Sequence, residues 1–203
     1  MTDMNRRTML QWLGAAPAAA AAFTWTSEEA TAAAQHAHMA QQEAAATKAP
    51  YKPRFFLANE YATIVALADM ILPKDERSGS ASDAGAPEFI DYIVAEQADR
   101  QTAMRGGLLW LDNETRRRFN CRFLAATVDQ RRQVLDDIAF PRQASAAMSH
   151  GVRFFITMRD LVATGFWSSK IGMADIGYKG NVFVAEWKGA PDEVLKKLGV
   201  SYE

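Results

Sequence analysis

The stretch Asn59-Glu60-Tyr61-Ala62-Thr63-Ile64-Val65-Ala66-Leu67-Ala68-Asp69-Met70-Ile71-Leu72-Pro73 decides the fold class. Its apolar side chains Tyr61, Ile64, Val65, Ala68, Ile71 and Leu72 recur at three- and four-residue spacing, which is one face of a helix. Asn59 is a helix-capping residue type at the start, and Pro73 stops the helix because it has no amide hydrogen to donate. Working outward, Lys74–Ala86 holds Ser78, Gly79, Ser80, Ser82 and Gly85 and reads as a loop. Pro87 then suits a first helical turn, and Phe89, Ile90, Ile93 and Val94 form a second apolar stripe. Leu108, Leu111, Phe119, Phe123 and Leu124 predict one or two further helices. Thr127 with Gln130 is a capping box that opens a helix with core positions Val134, Leu135 and Ile138, halted at Pro141. Phe154, Phe155, Met158, Leu161 and Val162 predict a last long helix ending near Gly165. No segment alternates with period two over several residues. The expected fold class is all-α, an irregular bundle of about five helices.

The N-terminus has a different grammar. Arg6 and Arg7 stand directly before a stretch, Thr8 to Ser27, that carries no charge and is rich in alanine from Ala15 to Ala22. A basic region, a weakly apolar region and small residues are the order of an export leader, and the paired arginines point to the twin-arginine route. A membrane anchor is the weaker reading, because alanine contributes little hydrophobic free energy and Pro17 interrupts the span. Two small-residue stretches can be cut, Ala20-Ala21-Ala22 and Ala32-Ala33-Ala34. The second is preferred here, which makes residues 1–34 the signal peptide. Residues 35–53 have almost no large apolar side chain and are expected to be a flexible leader. His36 and His38, lacking a third ligand, read as incidental. The folded domain is expected over 54–203.

Composition narrows the chemistry. Lys and Arg number 23 against 24 Asp and Glu, which argues against bulk phosphate neutralisation and so against a nucleic-acid partner. One cysteine, Cys121, excludes an internal disulfide, an iron–sulfur cluster and covalent haem attachment. Glycine-rich dinucleotide and phosphate loops and metalloprotease spacings do not occur. No catalytic, cofactor-binding or metal-ligating residue is expected in this chain. The basic run Arg116-Arg117-Arg118 with Arg122, Arg131 and Arg132 is interleaved with Glu114, Asp129, Asp136 and Asp137, and reads as a salt-bridged helix face.

From Gly165 the text turns irregular: Gly165-Phe166-Trp167-Ser168-Ser169-Lys170-Ile171-Gly172, Gly177-Tyr178-Lys179-Gly180-Asn181, then Glu186-Trp187-Lys188-Gly189-Ala190-Pro191. Glycine at this density breaks helices. Phe166, Trp167, Tyr178, Phe183 and Trp187 must either fold back onto the core or meet another protein, and these five are the candidate partner interface. A short helix is expected at Asp192–Leu198, closed by Gly199.

These pieces together resemble the gluconate 2-dehydrogenase subunit 3 family. The resemblance runs from the Arg6-Arg7 leader through Phe55-Phe56, Glu60 and the Ala-Asp-Met-Ile-Leu-Pro run ending at Pro73. It continues through Gly79-Ser80-Ala81-Ser82-Asp83-Ala84-Gly85 and Phe89-Ile90-Asp91 into the glycine- and aromatic-rich tail. Ala190 departs from it, standing where many relatives carry cysteine. The resemblance implies a non-catalytic small subunit of an oxidoreductase complex acting on CH–OH groups. It implies a large FAD-binding partner that oxidises a sugar or alcohol, often with a c-type cytochrome, while the small subunit binds no cofactor itself. It further implies escort through the twin-arginine translocase, stabilisation of the flavoprotein and a periplasmic location. Two other readings remain at this point: an exported helical binding or structural module without a redox partner, and a stand-alone exported enzyme using His150 with a nearby carboxylate.

Overall fold

Among residues 26–178, 180, 186 and 189–201, which the computed structural model describes, the chain forms eight α-helices and no strand. They are α1 (Ser27–Thr47), α2 (Ala58–Ile71), α3 (Ala86–Glu96), α4 (Ala98–Phe119), α5 (Val128–Ala139), α6 (Ser149–Trp167), α7 (Lys170–Asp175) and α8 (Asp192–Leu198), with 3-10 turns at Phe123–Ala125 and Ala146–Met148. The all-α expectation holds, and α2 to α6 are the five helices read from periodicity. The capping box at Thr127 is formed in both directions: Gln130 N donates to Thr127 Oγ1 at 3.2 Å, and Thr127 N donates to Gln130 Oε1 at 2.9 Å. Leu57 rather than Asn59 caps α2, and Glu60 accepts from its amide at 2.9 Å.

α3 is the hub. Phe89, Ile90, Ile93 and Val94 are almost wholly removed from water, and the helix packs against α1, α2, α4 and α6. Full burial of such side chains is worth about 1.5–3 kcal/mol each. The 74–85 loop is packed too. Ala81 and Ala84 are buried, Ala81 N donates to Leu72 O at 2.9 Å, and Asp69 accepts from both the amide and the hydroxyl of Ser82 at 2.8 Å.

α4 and α6 approach each other through a reciprocal pair of glycines. A Cβ on Gly107 would lie 1.9 Å from the Phe154 ring, and one on Gly151 would lie 2.2 Å from the Trp110 ring. Each helix therefore gives up a side chain where the other inserts an aromatic ring.

The expected flexible leader over 35–53 is corrected by the structure. Residues 27–47 are helical, opened by a capping box in which Glu29 N donates to Thr26 Oγ1 at 3.1 Å and Thr26 N donates to Glu29 Oε2 at 2.6 Å. Ala33 and Ala37 are buried one turn apart, flanked by half-buried Ala30, Ala34 and Ala40. Alanine is the best helix former, and a row of small side chains lets one backbone lie close to another. A search for large apolar residues misses such a face. Polar ties complete it: Gln97 Nε2 donates to Glu29 Oε1 at 2.7 Å, and Gln41 Nε2 donates to Asp83 O at 3.0 Å.

Candidate functional site

Underneath α1 lies a cluster of acids and aromatic rings. Asp91 on α3 is fully buried and accepts four hydrogen bonds: from Tyr51 Oη at 2.8 Å, Arg54 N at 2.7 Å, Phe55 N at 3.1 Å and Phe56 N at 3.2 Å. It satisfies three consecutive amides of the strap that leads into α2, work that no helix or sheet does for them. His36 of α1 sits over the Tyr92 ring at 4.8 Å, with its Nε2 3.3 Å from Tyr51 Oη. Burial, with the Arg54 charge, holds the His36 imidazole below its ordinary value. Burial pushes the Glu88 carboxyl up, and Tyr61 donates to it. Burial likewise raises Tyr61 and Tyr51, aided by the neighbouring carboxylates. His36 is therefore a packing residue; His38 pairs only locally, its Nε2 3.1 Å from Gln42 Nε2. Among the described residues no group of three His, Cys, Asp or Glu side chains could hold a metal ion. This cluster is built to fasten α1 and the strap to α3.

The reading centred on His150 needs a cleft with a carboxylate in it. A cleft of about 390 Å³ does open between α4 and α6, lined by Met104, Gly106, Trp110, His150, Arg153 and Thr157 among others, and no carboxylate lines it. The exposed His150 has its Nδ1 3.2 Å from Arg153 Nη2. Nothing there pairs an acid with a base.

The basic run is paired internally. Glu114 accepts from Arg117 Nη2 at 2.7 Å and from Arg118 Nε at 2.6 Å, and Arg118 also reaches Asp137 at 2.6 Å. The hydrogen bonds from Arg117 and then Arg118 hold the Glu114 carboxyl down at about 2. Arg132 pairs with Asp129, and Arg131 donates to the carbonyls of Phe123 and Leu124. Cys121 is a half-buried free thiol just beyond α4.

The C-terminal segment is the part of the fold that offers a surface. Of the five expected interface residues, Phe166 is wholly buried in the core, and Trp167 packs against it, edge-on to the Phe166 ring at 5.5 Å. Phe166 is thus corrected from contact residue to core residue, because α6 continues through it and turns it inward. Tyr178 is exposed, while Phe183, Trp187, Arg6 and Arg7 lie outside the described residues.

What seats this segment is the turn after α6. Ser169 Oγ donates to Phe166 O at 2.6 Å and accepts from Gly172 N at 3.0 Å, so it caps α7 while gripping the end of α6. A Cβ on Gly172 would stand 2.1 Å from Phe166 O, so only glycine allows this approach. Arg77 Nη2 donates to Asp175 O at 2.8 Å and ties α7 to the loop after α2. Gly177, at φ +66°, then ends α7 with Tyr178 N donating to Met173 O at 2.9 Å and Gly177 N to Ala174 O at 3.1 Å, a Schellman turn.

α8 ends in the same way at Gly199, with Val200 N donating to Leu195 O at 3.1 Å. The exposed large hydrophobics of the described chain are Met39, Leu57, Leu109, Val128, Met173, Ile176, Tyr178, Val194, Leu198 and Val200. Six of these ten follow α6, which makes this segment the candidate interface. Sequence reading found Tyr178 from its aromatic ring but missed Met173 and Ile176, whose signal is the Ser169 cap and Gly177 stop that frame one short helix.

Among the described residues no helix is long and apolar enough to cross a membrane. Comparison with known families gives a match to the model described as gluconate 2-dehydrogenase subunit 3 over residues 58–186, which is well over half of the chain. Neither the search of curated proteins nor that of solved structures returned a match.

Proposed function

Because the chain belongs to the gluconate 2-dehydrogenase subunit 3 family, we propose that it is the non-catalytic small subunit of an FAD-dependent sugar or alcohol dehydrogenase. In this reading it clasps the large flavoprotein, stabilises it and carries it through the twin-arginine translocase to the periplasm. The observation that supports it most directly is the C-terminal segment, where Met173 on α7, Ile176 and Tyr178 in the turn after it, and Val194, Leu198 and Val200 around α8 are held in water by well-capped turns. Surfaces of this kind are retained where another protein covers them.

FAD belongs to the partner in this reading. The described residues form no strand, and so no strand–turn–helix cradle for a dinucleotide pyrophosphate. A c-type cytochrome would take electrons from the flavin without passing them through this chain. The Arg6-Arg7 pair supplies the address for both polypeptides.

The test is co-expression with a candidate FAD-binding dehydrogenase subunit from the same source. Wild-type chain should bring a yellow, larger protein with it into the periplasm, and the Arg6→Lys, Arg7→Lys double variant should leave both in the cytoplasm. Normal export of the flavoprotein alongside the double variant would end the escort reading. Recovery of the chain alone from the periplasm would favour an exported module without a redox partner.

A further inference from the structure

Ala20-Ala21-Ala22 and Ala32-Ala33-Ala34 are equivalent as text for a leader peptidase. They are not equivalent in the fold. The second lies inside α1, more than a turn past its capping box, and its central residue, Ala33, is fully buried. A cut after Ala34 would discard Thr26 and Glu29, which cap the helix, together with the bond from Gln97 to Glu29 and the seat of Ala33 on the core. It would also place a new ammonium group at the start of the shortened helix, the end where the helix dipole disfavours positive charge.

A peptidase takes its substrate as extended chain, and twin-arginine cargo is folded before it crosses. α1 would therefore be docked on α3 when the enzyme meets it. Ala18–Ala22 lies upstream of Thr26, so a cut there removes none of these contacts.

We infer that the leader is removed within Ala18–Ala22, and that α1 is a permanent element of the mature subunit, pinning the Asp91 strap from outside. The preference for Ala32-Ala33-Ala34 that residue types alone gave is thereby reversed. The inference rests on the export reading above, since it needs a leader to be cut.

The experiment is N-terminal sequencing and intact-mass measurement of the full-length gene product from periplasm and cytoplasm, co-expressed with its flavoprotein, beside the Arg6→Lys, Arg7→Lys variant. A periplasmic chain beginning between Ala19 and Phe23 is expected, with the double variant uncut in the cytoplasm. A periplasmic chain beginning at Ala33, Ala34 or Gln35 overturns the inference and leaves export standing. An uncut chain in the periplasm overturns it equally. Wild-type chain found only in the cytoplasm overturns the export reading and the inference with it. A second measurement compares residues 23–203 with residues 35–203. The shorter form should melt at least about 5 °C lower or fail to fold; equal melting removes the structural ground for retaining the whole of α1.

Discussion

α1 and the two short C-terminal helices meet the rest of the molecule in opposite ways. α1 has almost no large apolar side chain and is held, through buried Ala33 and Ala37 and the ties from Gln41 and Gln97. α7 with its closing turn, and α8, carry Met173, Ile176, Val194 and Leu198 and leave them in water. Hydrophobicity of the side chain does not decide which segment joins the core. Backbone approach decides it, and small residues with a few well-placed polar partners achieve that for α1. The exposed apolar groups at the other end are then the feature that calls for an explanation, and a partner subunit supplies one.

That contrast can be broken most violently at Asp91. Asp91→Ala strands the buried Phe56 amide, the part-buried amides of Arg54 and Phe55 and the Tyr51 hydroxyl, and should cost at least about 3 kcal/mol in urea unfolding. For a chain of this size the melting temperature should fall by roughly 6–12 °C. A loss under about 1 kcal/mol would mean that the strap and α1 are not held through this carboxylate.

A smaller effect should appear with pH. Burial raises Glu88 above its ordinary 4.5, so its ionisation favours the unfolded chain. Its contribution is full below 4.5 and is lost as pH rises from there through the raised value. Tyr61, Tyr51 and Asp91 are the titratable groups around it. Glu88→Gln should flatten that decline in urea midpoints measured from acid to neutral pH; an unchanged slope would place the pH dependence elsewhere. Glu114 runs the other way. Held down at about 2 by Arg117 and Arg118, its contribution is present above 4.5 and is lost as pH falls through about 2. Removing it should lower the urea midpoint at neutral pH and shrink the fall on acidification, with the most acid midpoints least changed.

The least stability change is expected at the C-terminal end. Replacing Met173, Ile176 and Tyr178 together by serine should move unfolding by no more than about 0.5 kcal/mol. The same change should weaken association with the flavoprotein partner proposed above at least about tenfold, read by titration calorimetry. Equal affinity would take the contact surface away from α7.

Much of this was legible in residue types. Pro73, Pro87 and the Thr127–Gln130 pair each act through a bond made or denied within four residues, so the ends of α2, α3 and α5 could be read locally. α1 was not legible, because its seat depends on what α3 presents to it. Asp91 was not either, since its partners lie 35 to 40 residues away and one carboxylate among 24 acids has no local mark. Of the two readings open for Phe166, core or contact, residue types do not choose, because an aromatic beside a glycine reads the same whether the helix ends before it or after it. Gly172 is legible only once the Phe166 carbonyl is seen against it.

The crossing of α4 and α6 carries one more consequence. With Gly107 receiving Phe154 and Gly151 receiving Trp110, each rod has a notch and a peg for the other. Moving either rod along the other would carry a ring off its glycine and against neighbouring side chains, so the crossing is fitted to one register. In a complex of the kind proposed above, that crossing would keep its register, and any adjustment would fall to segments outside it.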